Sequence, residues 1–306
     1  MRDHAADLYR LTPGAETDAT VMLVVLDGFV DAGTVGRQTA EALFDAFEAR
    51  ELAAFDIDRL LDYRSRRPVM TFVENAYTAY TPPQLALYEM RDSEGTPFLL
   101  LYGLEPDREW EAFAEAVRLL IERFGITLTV GVHGIPMAVP HTRPATVTAH
   151  ATRADLVADH TPWVSRVTVP ASAAALLEYR LGEAGHDVVG YAVHVPSYLA
   201  QSEYPRAAIA ALDYVSGATG LALPGDRLED SARQTDTEID QQVSASEEVQ
   251  RVVANLERQY DEFMSAREDG TGDTLFGGDL SDLPTADELG EELERFLAER
   301  ERGTEG

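Results

Sequence analysis

The chain has 306 residues, of which 45% are apolar, enough for one large domain or for a core with an appendage. It contains no cysteine and all 25 of its basic residues are arginine, which excludes thiolate nucleophiles, zinc–thiolate and iron–sulfur sites, disulfides, Schiff bases and lysine-dependent phosphate loops. The net charge of −29 disfavours nucleic acid and anionic membranes as partners.

The first half of the chain alternates apolar runs with helical patterns. The run ATVMLVVLD (19–27) predicts a strand covered on both faces, and the segment after it repeats Val35, Thr39, Leu43 and Phe47 at helical spacing. Further strands are predicted at 68–73, 85–92, 97–103, 126–134, 145–152 and 187–195, and further helices at 107–124, about 171–184 and about 205–218. Because SEGT joins two of these strands as a hairpin would, we expect a mixed sheet in a three-layer α/β fold.

The last 85 residues have a different composition. From Ala222 onward there are 24 acidic residues and eight arginines, a net charge of −16. We therefore predict an α/β core domain over 1–221 and an acidic helical C-terminal region over 222–306. Within that region the pattern predicts an amphipathic helix over 247–263, a polar linker near 265–283 and a terminal helix after Thr285.

The sequence also indicates in which cellular compartment we expect the protein. No run approaches ~18 consecutive apolar residues, so we expect no membrane span. The first residues contain no apolar secretory segment, and we therefore expect a cytoplasmic protein.

Polar residues lie at the ends of several predicted strands. Asp27, Glu74, Glu105 and His133 each come at or directly after a strand end, and His194 ends a later strand. Ligands of open α/β sheets bind at the carboxyl ends of the parallel strands, so Glu74, Glu105 and His133 are candidate acid–base catalysts. The alternative is that they are structural, as helix N-caps or partners of other polar groups.

The loop DGFVDAGTVG joins the first long strand to a helix and contains three glycines. Backbone N–H groups at such a junction can cradle an anion, which makes Gly28, Gly33 and Gly36 candidate ligand-binding positions. The spacing is not that of a dinucleotide fingerprint, and a tight turn with close helix–strand packing is the alternative explanation.

The segment YRSRRP (63–68) concentrates three arginines just before a predicted strand. It could hold a phosphate or a carboxylate in a bidentate manner. It could equally form ion pairs with Asp56, Asp58 and Asp62, or with another subunit, and we favour this structural role.

The stretch VHGIPMAVPHTRPATVTAH (132–150) contains three histidines and an arginine. The histidines are eight and nine residues apart, which matches no zinc spacing, and we expect no metal site. PHTRP is stiffened by a proline on each side, which suits an active-site edge or a subunit interface. His141 is therefore a further catalytic candidate, and Arg143 is a candidate ligand-binding residue.

Several segments together resemble a known family. They are, in order, LDGFVDAGTVGRQTAEAL, YRSRRP, LYGLEPDREW, HGIPMAVPHTRP, VPSYLAQSEYPRAA and LPTADEL. Their order and spacing resemble the proteasome assembly chaperone two family, in its actinobacterial branch, over about residues 20–300. The resemblance implies an α/β core similar to the phosphorylase/hydrolase-like fold, a C-terminal helical extension and a homo-oligomer, a trimer being one option.

The resemblance also bears on function. Eukaryotic relatives are similar to non-enzymatic chaperones that guide assembly of a protease ring, and the family supplies no agreed catalytic set. An ATP-grasp assignment, used for some prokaryotic members, fits poorly because those enzymes place lysines on the nucleotide phosphates.

Two functional hypotheses follow. The first is a non-enzymatic, oligomeric, chaperone-like binding or assembly protein that needs no cofactor and has a protein partner. The second is a hydrolase- or phosphorylase-type enzyme for a small anionic or nucleoside-like ligand. In that case Glu74, Glu105, His133 and His141 supply acid–base groups and Arg143 clamps the anion. The enzyme hypothesis requires these side chains to meet in one pocket.

Overall fold

The computed structural model describes residues 5–163 and 166–268, in which ten strands and seven α-helices alternate along the chain. The strands are β1 (Tyr9–Leu11), β2 (Val21–Asp27), β3 (Arg50–Phe55), β4 (Met70–Val73), β5 (Ala76–Tyr80), β6 (Leu85–Arg91), β7 (Pro97–Leu104), β8 (Leu128–Met137), β9 (Val147–Ala151) and β10 (Val188–Pro196). The helices are α1 (Val35–Ala46), α2 (Ile57–Leu60), α3 (Trp110–Phe124), α4 (Ala173–Glu183), α5 (Pro205–Thr219), α6 (Glu229–Ser244) and α7 (Glu247–Glu268).

Eight of the strands form one mixed sheet in the order β1–β3–β6–β7–β2–β8–β10–β9. The four inner strands β7, β2, β8 and β10 are parallel, and the outer pairings are antiparallel. Strands β6 and β7 form the hairpin predicted from the SEGT connection. The expected mixed α/β class is confirmed.

The sheet is buried on both faces, which explains its nearly continuous apolar strands. In β2, Leu23 and Val25 belong to one core cluster, whereas Met22 and Val24 belong to the other. Helices α1 and α5 contribute buried side chains to the first cluster, and α3 and α4 to the second. Helices therefore lie on each side of the central sheet.

The predicted strand 68–73 does not join this sheet. Strands β4 and β5 pair only with each other, through a turn at Glu74 and Asn75. Every residue from 69 to 82 is exposed, including Met70, Phe72 and Tyr77. The prediction of a strand is therefore correct, but this strand lies outside the core. We call the two strands β4 and β5 with their turn the β4–β5 arm.

The acidic C-terminal region begins with two helices. Helix α6, which the sequence did not predict, buries only Ala232 and Ile239 along its 16 residues. Helix α7 is described as far as Glu268, five residues beyond its predicted end, and the rest of the predicted linker and the terminal helix lie outside the described residues. No helix in the described ranges is long and apolar enough to cross a membrane.

Candidate functional site

The carboxyl ends of β2 and β7 meet at the side chain of Glu105. Its carboxylate is buried and accepts a hydrogen bond from the Phe29 amide to Oε2 (2.8 Å) and one from the Ala173 amide to Oε1 (2.6 Å). Ala173 is the first residue of α4, where a negative charge is favoured by the exposed amides of the helix. Glu105 thereby ties the loop after β2 to the start of α4.

The position of this carboxylate explains the first glycine of the loop. A Cβ atom on Gly28 would lie 1.9 Å from Oε2 of Glu105, closer than any real contact. Only glycine fits beside the buried carboxylate, so Gly28 is required by packing.

Arg66 braces the same two strand ends. Its guanidinium donates hydrogen bonds to the carbonyl oxygens of Asp27 (3.2 Å) and Glu105 (2.8 Å) and to a carboxylate oxygen of Asp107 (2.6 Å). Of the three arginines in YRSRRP, Arg66 therefore has a structural ion pair, but its partner is Asp107 and not one of the neighbouring acids that the sequence suggested.

A crevice of about 440 Å³ opens between these strand ends. The residues that line it include Asp27, Phe29, Arg66, Glu105, Asp107 and Trp110. Of the residues predicted to be catalytic or ligand-binding, only Gly28 and Glu105 line this crevice.

The remaining glycines of the loop have partners within the protein. Gly33 has a φ of +66° and forms backbone hydrogen bonds with Ala200 (2.9 Å) and Tyr204 (3.0 Å). The amide of Gly36 donates to Oδ1 of Asp31 (2.8 Å).

Asp31 occupies the place that an anion would take at the start of α1. Its carboxylate accepts hydrogen bonds from the amides of Gly36, Arg37 (3.1 Å) and Gly134 (3.0 Å). Burial raises the pKa of Asp31, an effect that these backbone hydrogen bonds oppose. The loop therefore carries its own carboxylate at the position where a phosphate cradle binds its ligand.

His133 does not end a strand as expected. It lies within β8, opposite Ala192 of β10, and the strand continues to Met137. Burial lowers the pKa of His133 to about 4, and the charge of His150 acts in the same direction. The ring is therefore neutral at pH 7. Nearby, Nδ1 of His150 lies within hydrogen-bonding distance of the Glu178 carboxylate on α4 (2.9 Å).

His141 is held by Tyr198. The Tyr198 hydroxyl accepts a hydrogen bond from the His141 amide (2.9 Å) and lies 2.7 Å from Nδ1 of the ring. Burial raises the pKa of Tyr198 to about 12, so its hydroxyl is protonated at pH 7. Nε2 faces Asp240 of α6 at 3.7 Å, so the ring sits between the core and the C-terminal helices.

Arg143 is bound to helix α7. Its Nε and Nη2 atoms donate to the two carboxylate oxygens of Asp261 at 2.8 and 2.7 Å, and Nη1 lies 3.4 Å from Glu257. A neighbouring cluster of Val139, Trp163, Tyr260 and Phe263 packs the same helix against the core.

Glu74 lies in the turn of the β4–β5 arm. It has a φ of +53° and is exposed. The rule that placed it near a ligand applies to parallel strands, whereas β4 runs antiparallel to β5 outside the main sheet.

The candidate catalytic side chains thus do not share hydrogen-bond partners. Glu105 binds the amides of Phe29 and Ala173, His141 binds Tyr198, and the arm carries Glu74 away from the sheet. In the part of the chain that the structure describes, no three His, Asp or Glu residues are placed to hold a metal ion.

Sequence reasoning missed Asp31 and Tyr198, and it named His194 at a strand end without naming its partners. Asp31 lies four residues before α1 and binds the amides of Gly36 and Arg37, whereas the capping pattern points to Thr34, so no sequence pattern indicated Asp31. No local sequence pattern marked Tyr198 as the hydrogen-bond partner of His141. His194 is buried between the hydroxyls of Thr146 (3.0 Å) and Thr148 (2.8 Å), partners that only the β9–β10 pairing brings together.

These features define a class of α/β protein with a parallel sheet centre and a helical C-terminal extension. In this class the loop after β2 is hydrogen-bonded to carboxylates of the protein itself. The model of the PAC2 family matches residues 25–243, and the chain belongs to this family, as its motifs indicated. A comparison with curated proteins gives no match.

Solved structures show the same fold. A Mycobacterium tuberculosis protein of unknown function is 49% identical, with a TM-score of 0.81 over 86% of this chain and 92% of its own. One of unknown function from Corynebacterium glutamicum is 39% identical, with a TM-score of 0.80 over 84% and 98%. An M. tuberculosis proteasome-assembly chaperone homologue is 23% identical, with a TM-score of 0.70 over 76% and 99%.

Proposed function

We propose that this protein is a non-enzymatic, chaperone-like assembly protein that works as a homo-oligomer. The observation that carries the proposal is the β4–β5 arm, whose apolar side chains are not covered by any of the residues that the structure describes. The exposed fractions of Phe72 and Tyr77 are 57% and 69%, although their rings pack on each other at 5.0 Å.

An isolated two-stranded hairpin is at best marginally stable in water, and exposed apolar patches mark interaction sites. The arm is therefore expected to be covered by another molecule. We propose a second copy of this chain as the occupant. The arm has one acidic residue, Glu74, and follows the arginines of YRSRRP, whereas the protein as a whole carries a charge of −29. Arg64 and Arg67 at the root of the arm are exposed, so the root is electrostatically suited to another copy of the same acidic protein.

The family supports an assembly role, since one relative is a proteasome-assembly chaperone homologue. We accordingly propose a proteasome subunit as the protein partner. The alternative, a phosphorylase- or hydrolase-type enzyme on a phosphorylase-like scaffold, is not favoured because its acid–base candidates bind separate partners.

Light scattering after size exclusion tests the oligomer. The wild type should elute as an oligomer, with a trimer as one option, and the double variant Phe72→Ser/Tyr77→Ser should elute as a monomer with an unchanged circular dichroism spectrum. Tyr179→Ser is the matched control, because Tyr179 is 60% exposed on α4, away from the arm. A wild type that is monomeric at all concentrations, or an arm variant with the wild-type mass, contradicts the proposal.

The partner requires a separate measurement. Mixed with purified actinobacterial proteasome subunits, the wild type should form a larger complex or speed ring assembly, measured by native gel and by peptidase activity of the assembled ring. The Tyr179→Ser protein should behave as the wild type. Unchanged assembly kinetics with the wild type would contradict the chaperone role even if the oligomer is found.

A further inference from the structure

The crevice at the ends of β2 and β7 lies where a ligand site is expected from topology. Helix α1, which follows β2, packs on one face of the sheet, and α3, which follows β7, packs on the other. Connections that leave adjacent parallel strands on opposite sides open a crevice between them, and open α/β sheets bind ligands there. Its volume of about 440 Å³ is within the usual range for small-ligand sites.

The charges in the crevice disfavour an anion. Its acids are Asp27, Glu105 and Asp107, and Arg66 is its cation. The guanidinium of Arg66 already donates hydrogen bonds to Asp107 and to two backbone carbonyls, so its charge is neutralised within the protein and does not favour an anionic ligand. The crevice therefore has an excess of negative charge.

Asp27 is the carboxylate that remains available. Glu105 is bound by two amides and Asp107 by Arg66, whereas the carboxylate of Asp27 lies 3.8 Å from the guanidinium of Arg37, beyond hydrogen-bonding distance. The Asp27 side chain is 35% exposed, so a ligand can reach it.

Aromatic rings complete the site. Trp110 is anchored by a hydrogen bond from its indole nitrogen to the Pro106 carbonyl, and Phe29, whose amide is held by Glu105, is 61% exposed. Phe29 and Trp110 line the same crevice as Asp27. A crevice that has both aromatic rings and a carboxylate is a favourable environment for a planar, weakly hydrated cation.

We propose that this crevice binds a guanidinium group, with Asp27 as its carboxylate partner and Phe29 and Trp110 as its aromatic walls. The group could belong to a free small molecule or to an arginine side chain of a protein, and the chemistry of recognition is the same. The site is separate from the β4–β5 arm, so it does not depend on the proposed oligomer.

Isothermal titration calorimetry with the full chain tests the proposal. Agmatine represents a free guanidinium compound and acetyl-arginine amide represents a side chain, while acetyl-citrulline amide has nearly the same shape without the charge. We expect binding of at least one guanidinium probe, weakened by salt, and at least tenfold weaker binding of citrulline. Binding of agmatine alone identifies a free compound as the source, and binding of the amide alone identifies a protein.

Variants locate the binding. Asp27→Asn should weaken it at least tenfold, and Phe29→Ala about threefold. Asp159→Asn, an exposed aspartate outside the crevice, is the matched control and should bind as the wild type does. Absence of heat with both guanidinium probes, or equal affinity of the wild type and Asp27→Asn, overturns the proposal. Circular dichroism confirms that each variant is folded.

Discussion

The guanidinium of Arg143 holds the carboxylate of Asp261 through two parallel hydrogen bonds, with Nε–Oδ1 at 2.8 Å and Nη2–Oδ2 at 2.7 Å. The pair joins residues 118 positions apart and fixes α7 to the segment that follows β8. The arginine that sequence analysis proposed as an anion clamp thus binds a carboxylate of its own chain.

Replacing Arg143 with glutamine should loosen α7 without unfolding the core, because the ion pair is exposed and its partner is on this helix. Hydrogen exchange should become faster in α7 and stay unchanged in β2 and β8. High salt should reproduce part of the effect in the wild type. Arg153→Gln, which removes a comparable exposed arginine, should leave α7 unaffected. Unchanged exchange in α7 of the Arg143 variant would contradict the role of this pair.

Phe263→Ala should weaken the packing of α7 more directly. The ring of Phe263 lies 4.7 Å from that of Trp163 and is buried in the small cluster that attaches the helix. Loss of this contact should reduce the local free energy of docking by roughly 3 kcal/mol. Because the chain has only two tryptophans, exposure of Trp163 should shift the emission to longer wavelength. Val252→Ala is the control on the same helix, since Val252 is exposed, and it should leave the spectrum unchanged.

His133 should make the fold acid-sensitive. Its pKa is about 4 in the folded protein against 6.5 for an ordinary histidine, so the unfolded chain binds the proton more tightly. The stability that this depressed pKa contributes is present above pH 6.5 and is lost as the pH falls toward 4. At pH 4.5 the loss relative to pH 7 should be roughly 2–3 kcal/mol.

Urea unfolding of the wild type and of His133→Gln at pH 7, 5.5 and 4.5 measures this contribution. The difference between the two proteins should shrink as the pH falls, because the variant lacks the titrating ring. His160→Gln, on a ring that packs against Tyr191 and Tyr214, controls for the loss of a histidine elsewhere. Parallel pH profiles for the wild type and His133→Gln are the outcome that excludes this role.

Gly28→Ala should destabilise the protein by roughly 1–3 kcal/mol, since the added Cβ would overlap the Glu105 carboxylate. Gly131→Ala is the matched strand control, because a Cβ there meets nothing within 4 Å. Combining Gly28→Ala with Glu105→Ser should cost less than the sum of the two changes, which a double-mutant cycle by chemical denaturation measures. Additive effects would contradict the proposed overlap.

The sequence predicted the sheet better than the site. Apolar runs placed β2, β6, β7, β8, β9 and β10 because strands buried on both faces have a strong pattern. Helix α6 was missed since it buries few side chains, and β3 since it begins with two charged residues, which leaves an apolar run of only four.

The candidate site shows the limit of a rule based on strand ends. It placed Glu105 correctly at the end of a parallel strand, and it misplaced Glu74 because pairing partners decide whether a strand is parallel. A second β-rich run, Ala76–Tyr80, is separated from Val73 by only two residues, and this short separation could have indicated a hairpin. His141 and Arg143 bind Tyr198 and Asp261, which are distant in sequence, so no local pattern could reveal their partners.

The two hydrogen bonds of Glu105 have a kinetic consequence. They join positions 76 and 68 residues apart, so three segments must arrive before the carboxylate is satisfied. Contacts of such long sequence separation are slow to form. The crevice beside Glu105 should accordingly be among the last features to appear during refolding, and a compound that binds there would report completion of the native state and not its early collapse.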